Sequence, residues 1–256
     1  MARATGVAGG AGGAKRQGVQ GLGGPHTVEY DLTFFAIATL AVVFAGISKG
    51  GFGSGAAFAA TPLLALILEP GQAVGLMLPL LMLMDVTALR PYWGKWDGRA
   101  AAVFILGALP GVAIGTAVYR LADPDIFRLL IGLVAITFVL FQMARKYRLI
   151  RPAKRPMGDV GGAIAGVVGG LDKTTYQATT VLMFWAINLM KFVPYAMLGI
   201  FSWETVKADL FLIPAAIVGV MIGVRAHRIM PERLFFAFTY LLLTATGTKL
   251  IWDALT

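Results

Sequence analysis

The sequence has no cysteine and only two histidines, His26 and His227, in its 256 residues. The first absence excludes disulfides, thiol redox couples and thiolate-held iron–sulfur clusters. The two histidines fall in an N-terminal tail and a loop, and no His/Asp/Glu cluster has metal-ligand spacing, so neither a metal nor another cofactor is expected. Charge is equally scarce. Lys, Arg, Asp and Glu make up 14% of the chain and hydrophobic residues 58%, whereas a soluble domain carries about 25% charge. No nucleophile–base pair stands out, so an enzyme is not expected. Residues 1–28 lack the apolar core of a signal peptide. The one Gly-rich loop lacks the terminal GK[ST] of a nucleotide-binding loop, which argues against an ATP-driven pump.

What remains is a chain of apolar runs, each of about 18–24 residues in most cases, the length of a membrane-spanning helix. The net charge is +9. Its basic residues sit in short loops between apolar runs, where the positive-inside rule accounts for them without nucleic acid as a partner. Residues 1–28 read as a disordered Gly/Ala-rich tail. The loop Arg145–Arg155 holds six basic residues and no acid, the strongest cytoplasmic marker. The domain reading is therefore a tail (1–28), a first membrane repeat (29–144), a basic cytoplasmic loop (145–157) and a second membrane repeat (158–256). Counting crossings back from the basic loop puts the N-terminus outside.

The stretch Ala45–Pro62 is the most unusual. Gly46, Gly50, Gly51, Gly53 and Gly55 surround Lys49, Ser48 and Ser54. Such a cluster reads as a helix break at membrane depth, tolerated where backbone is buried in protein or lines a cavity. The segment after it, Ala56–Leu68, is too short to span and reads as a broken or re-entrant element. Exposed N–H groups beside Lys49 would make an anion site. Alternatively, the glycines serve close helix packing, since Gly46/Gly50 and Gly51/Gly55 have GxxxG spacing.

Three further residues carry polar chemistry inside apolar runs: Asp85 in Gln72–Leu89, and Asn188 with Lys191 in Ala178–Phe201. Polar groups at membrane depth are costly and face a cavity or a partner. Lys191 is read as an anion-binding charge with Asn188 as a donor beside it. Asp85 is read as a coupling or charge-balancing carboxylate, with an Asp85–Lys191 ion pair as the competing structural reading. Thr179 and Thr180 either line a polar path or bond back to their own helix.

The two halves repeat. Asp85, Pro91 and Tyr92 align with Asn188, Pro194 and Tyr195 at an offset of 103. Trp96-Asp97 and Pro124-Asp125 align with Trp203-Glu204 and Pro231-Glu232 at 107, and Gly111/Gly115 with Gly219/Gly223 at 108. Charge bias places equivalent loops on opposite sides, so the expected fold is an all-α polytopic membrane protein of two inverted-topology repeats with broken or re-entrant segments. By this repeat, roughly 15–25 residues have no counterpart around Gly170–Leu171. Either that is a real deletion or a segment is missing from the sequence.

The stretches GISKGGFGSGAAFAATPLL (46–64) and TTYQATTVLMFWAINLMKFVPY (174–195), with Trp96-Asp97 and Pro110 to Gly115 between them, resemble the sulfite exporter TauE/SafE family over about residues 30–252. The resemblance implies a bacterial inner-membrane secondary transporter that exports small sulfur-containing anions, such as sulfite or sulfoacetate, on an ion gradient. It places Lys49, Gly50, Gly51, Asn188, Lys191 and Tyr195 near the site, and Gly53 and Ser54 fall within the same Gly-rich motif. The family's second Gly/Pro-rich motif is absent, with only Val167–Leu171 in its place. The expected partners are the small anion, membrane lipid, a proton or other coupling ion, and, left open, a second copy in a homodimer. An anion channel and a non-transporting scaffold subunit are the alternatives.

Overall fold

The computed structural model describes residues 31–52, 57, 59–121, 123–147, 171–229 and 231–256. The tail, the greater part of the basic loop, Gly158–Gly170, Gly53 and Ser54 lie outside the described residues. The rest is helical: α1 (Leu32–Ile47), continued by a π-helical turn (Ser48–Phe52), then α2 (Ala60–Leu64), α3 (Pro70–Leu89), α4 (Gly98–Leu121), α5 (Pro124–Lys146), α6 (Lys173–Met197), α7 (Trp203–Ile229) and α8 (Glu232–Leu255). Seven of these segments are long and apolar enough to cross a membrane, the first being α1 with its π-turn. This is an all-α, polytopic membrane protein.

Helix starts follow local chemistry. The Asp31 carboxylate accepts the Phe34 N–H at 2.7 Å and begins α1. Glu69 and Gln72 form a capping box around Pro70, whose missing N–H costs nothing at the first helical position. Asp172 accepts the N–H groups of Thr174 and Thr175 and the Thr175 hydroxyl, at 2.9, 3.1 and 2.6 Å. These bonds to the ionised form, the Thr175 hydroxyl foremost, hold the Asp172 carboxyl below its ordinary range.

Contacts fix the relative directions. Phe35 meets Phe211, Gly46 meets Gly219 and Gly51 meets Gly223, so α1 and α7 run parallel. Gly71, at the start of α3, faces Tyr119 near the end of α4, and Gly75 faces Ile200 just beyond α6, so α3 runs against both. Gly132 meets Gly247 and Ile251, while Gln142 donates to the Tyr240 hydroxyl at 3.2 Å, so α5 and α8 are antiparallel. One core joins α1, α2, α3, α6 and α7 through Ala41, Leu64, Leu76, Met84, Val181 and Leu212. A second joins α1 to α5 and α8, with Phe52 stacked on Phe235 at 4.3 Å between centroids.

The Gly-rich stretch departs from expectation. The chain does not break at Gly50-Gly51; it stays helical through a π-turn to Phe52. The glycines there serve backbone contact. A methyl placed on Gly50 would sit 2.3 Å from the Val220 carbonyl oxygen, and one on Gly51 would sit 2.2 Å from that of Gly223. The packing alternative therefore holds for Gly46, Gly50 and Gly51, and an open donor surface at Gly50-Gly51 does not. The element after it is shorter than expected, with α-helix only over Ala60–Leu64 and turns after it.

Candidate functional site

A π-turn leaves backbone carbonyls out of the regular i to i−4 ladder, and buried carbonyls need partners. One comes from α6 and one from the turn after α3. The Gln177 side-chain amide donates to the Lys49 carbonyl at 2.8 Å, and the Tyr92 hydroxyl donates to the Gly50 carbonyl at 2.9 Å. Held this way, the Lys49 side chain is 1% exposed and forms an ion pair with Asp85, which is fully buried. The second Asp85 oxygen accepts from Asn188 Nδ2 at 2.8 Å. The Lys49 ammonium also lies 5.7 Å from the centre of the Phe184 ring, at cation–π distance. Asp85 and Asn188, equivalent by the sequence repeat, thus touch each other.

This arrangement replaces the competing structural reading: Asp85 is held by Lys49, not by Lys191. It also commits Asn188 to Asp85 rather than leaving it as a donor beside Lys191. Lys191 lies within electrostatic range of both Asp85 and Lys49, yet no hydrogen bond or ion pair reaches it among the described residues. Two lysines and one aspartate leave the cluster with a net charge of +1.

Lys191 shares a helical face with a groove. Between α4 and α6 lies a groove of about 490 Å³, walled on α6 by Tyr176, Thr180, Phe184 and Ile187 and on α4 by Phe104 and Gly107. At helical spacing Lys191 stands one turn beyond Ile187 on the same stripe. Phe184 is both groove wall and the ring beneath Lys49. The threonines do not form a free polar path: Thr179 and Thr180 donate to the carbonyls of Thr175 and Gln177 at 2.7 and 2.9 Å. Thr179 also accepts the Asp97 N–H at 2.9 Å and so ties the loop before α4 to α6.

Tyr195 is not brought to the Lys49–Asp85 pair. It lies toward the other end of α6, in electrostatic range of Tyr119. Its repeat partner Tyr92 is the tyrosine that reaches the π-turn. Gly53 and Ser54 lie outside the described residues. Sequence reasoning missed Gln177 and Phe184, and it used Tyr92 only as a member of the repeat. The available signal for Gln177 was a single amide among the threonines of the first turns of α6, Thr174, Thr175, Thr179 and Thr180.

No group of three or more His, Cys, Asp or Glu residues that could hold a metal occurs among the described residues. The chain matches the family model described as sulfite exporter TauE/SafE over residues 38–172 and 157–250. No match emerges among curated proteins or solved structures. A multi-pass helical chain matched by that model over most of its length belongs to the sulfite exporter TauE/SafE family of membrane transporters.

Proposed function

We propose that this protein is a secondary transporter that exports a small sulfur-containing anion, sulfite or an organosulfonate such as sulfoacetate, across the bacterial inner membrane. The substrate site is the upper part of the α4–α6 groove, with Lys191 as the charge that meets the anion. The observation that carries this is the imbalance of the buried cluster. Lys49 and Asn188 are spent on Asp85, so Lys191 is the cation left for a ligand, and an anion completes the charge balance. The Lys49–Asp85 pair and Asn188 then serve as the rigid wall behind it.

Two inverted repeats support alternating access. Helices matched by the sequence repeat run in opposite directions: α3 against α6, α4 against α7, and α5 against α8. The orientation reading has similar support. Arg90, Lys95, Arg99, Arg225 and Arg233 outnumber Asp97 and Asp172 at one end of the bundle, while Asp31, Glu69, Asp123, Asp125 and Glu204 outnumber Arg120, Arg128 and Lys207 at the other. The positive-inside rule makes the first end cytoplasmic and puts the N-terminus outside.

Proteoliposomes holding the purified chain test the reading. Wild type should show saturable sulfite or sulfoacetate flux that is stimulated by unlabelled substrate on the far side. Lys191→Ala should lose it. Intact flux in Lys191→Ala removes the site assignment, and current without trans-stimulation makes the protein a channel.

A further inference from the structure

Two aspartates lie inside the bundle, and their surroundings differ. Asp85 has Lys49 on one oxygen and Asn188 on the other. Asp209, in the second turn of α7, is 8% exposed, and its Oδ1 has no hydrogen-bond partner. It belongs to the packed face of α7 with Thr205, Ala208, Leu212 and Ala216, all buried. The Thr205 hydroxyl is already engaged: it donates to the Ser202 carbonyl at 2.8 Å and accepts the Ser202 N–H at 3.0 Å.

No nearby charge among the described residues compensates this acid. Of the elements packed on α7, α1 offers Asp31, which caps its own helix. The π-turn offers Lys49, paired with Asp85 of α3, and the Glu69 side chain at the start of α3 is held in its capping box. On α6, Lys191 and Tyr195 make no bond to it, and on α7 itself Glu204 and Lys207 are exposed, with the Lys207 ammonium 5.8 Å from the Trp203 ring centre. An ionised carboxylate buried without a cation or a donor is far more costly than the neutral acid. A metal cation is no remedy, because it needs a shell of several oxygens, and no acidic or histidine cluster supplies one among the described residues. A proton needs one carboxylate oxygen only.

We infer that Asp209 is a proton-binding site of the membrane domain, separate from the Lys49–Asp85–Lys191 cluster and closed while α7 packs as it does in this structure. It lies about 9 Å along the helix axis from Trp203, at 1.5 Å per residue. That places it toward the end of the bundle where α1, α3 and α7 begin. The proton exchanges with water at that end when α7 parts from α1 and α3. Resting on the transport reading above, Asp209 rather than Asp85 carries the coupling proton.

Infrared spectroscopy of wild type, Asp209→Asn and Asp85→Asn in lipid membranes tests this. Wild type at neutral pH should show the C=O stretch of a buried protonated carboxylic acid. The band should vanish in Asp209→Asn and persist in Asp85→Asn, with monodisperse elution confirming that each variant folds. A band absent from wild type, or retained in Asp209→Asn, overturns the site. Asp209→Glu, which restores a carboxyl, should restore the band at a shifted frequency. A flux arm separates the two claims. In Asp209→Asn an imposed pH gradient should no longer accelerate export, while exchange without a gradient continues. Unchanged acceleration overturns the coupling role. A wild type that moves no anion but keeps the band overturns the transport reading and leaves the proton site standing.

Discussion

α4 and α7 are matched by the repeat, each with a proline followed by a GxxxG pair, and they sit in opposite environments. The apolar window of α7 is 39% buried and that of α4 only 6%. Gly219 and Gly223 press against the α1 backbone, where an added methyl would meet the Val43 and Ile47 carbonyl oxygens at 2.7 and 2.4 Å. Gly111 and Gly115 meet nothing within 4 Å. The same spacing thus closes a seam in one half and meets open space in the other. GxxxG permits close approach, but a partner backbone must be there to use it. On the closed side Lys49 and Asn188 are bonded to Asp85, and Gln177 and Tyr92 to the π-turn carbonyls, with Asp209 the exception. On the open side Lys191 stands without a bonded partner.

Substitutions that should hurt one side and spare the other test this contrast. The largest effect is expected from Gly51→Val. Its Cβ would collide with backbone rather than with a side chain that can turn away, so the cost exceeds the ~1–3 kcal/mol of ordinary overpacking. Thermal unfolding in detergent should show a collapsed or absent transition. Next comes Asp85→Ala, which strands Lys49 in the interior. Breaking a buried pair from one side costs about 3–5 kcal/mol, readable as a large drop in midpoint temperature. Lys191→Ala should abolish flux while changing stability by no more than about 1 kcal/mol, because no bond is lost. A stability loss equal to that of Asp85→Ala would place Lys191 in the structural cluster after all. Gly107→Ala, where an added methyl meets nothing within 4 Å, should leave stability within about 0.5 kcal/mol and reduce flux only, by narrowing the groove that Gly107 lines.

The smallest effect concerns Asp172, whose pKa is depressed in the folded chain by its bonds to Thr175 and Thr174. A depressed carboxyl adds stability above its unfolded pKa and loses it as pH falls through the folded value. Acidification below the ordinary carboxylate range should therefore fray the start of α6 in wild type, and Asp172→Asn should remove that step. Hydrogen exchange at the Thr174 and Thr175 amides reads it directly.

The spans were legible in the sequence because length and apolarity alone define them. The sequence also singled out Asp85 and Asn188 as polar groups inside apolar runs, and in the structure the two bond at 2.8 Å. The partner of Lys49 was not legible. Nothing in a Gly-rich stretch says that its lysine pairs with Asp85, 36 residues on, and the π-turn that turns it inward is bonded by Tyr92, from the turn after α3, and Gln177, from α6. The glycines misled for a related reason: low helix propensity suggests a break, but against α7 the lost side chain is what allows contact. Asp209 carries no motif. Its isolation is a property of what fails to surround it, which no linear pattern encodes.

The π-turn has a mechanical consequence. Relaxing it to ordinary α-helix would remove one residue's worth of slack and rotate α1 by about 100° against the chain beyond Phe52, one residue's step in a helix of 3.6 residues per turn. That slip would swing Lys49 away from Asp85 and drag the glycine seam out of register with α7. The Tyr92 hydroxyl from the turn after α3 and the Gln177 amide from α6, gripping adjacent carbonyls, act as a double latch on that screw. Whatever moves in transport, α1 can turn only after both have let go.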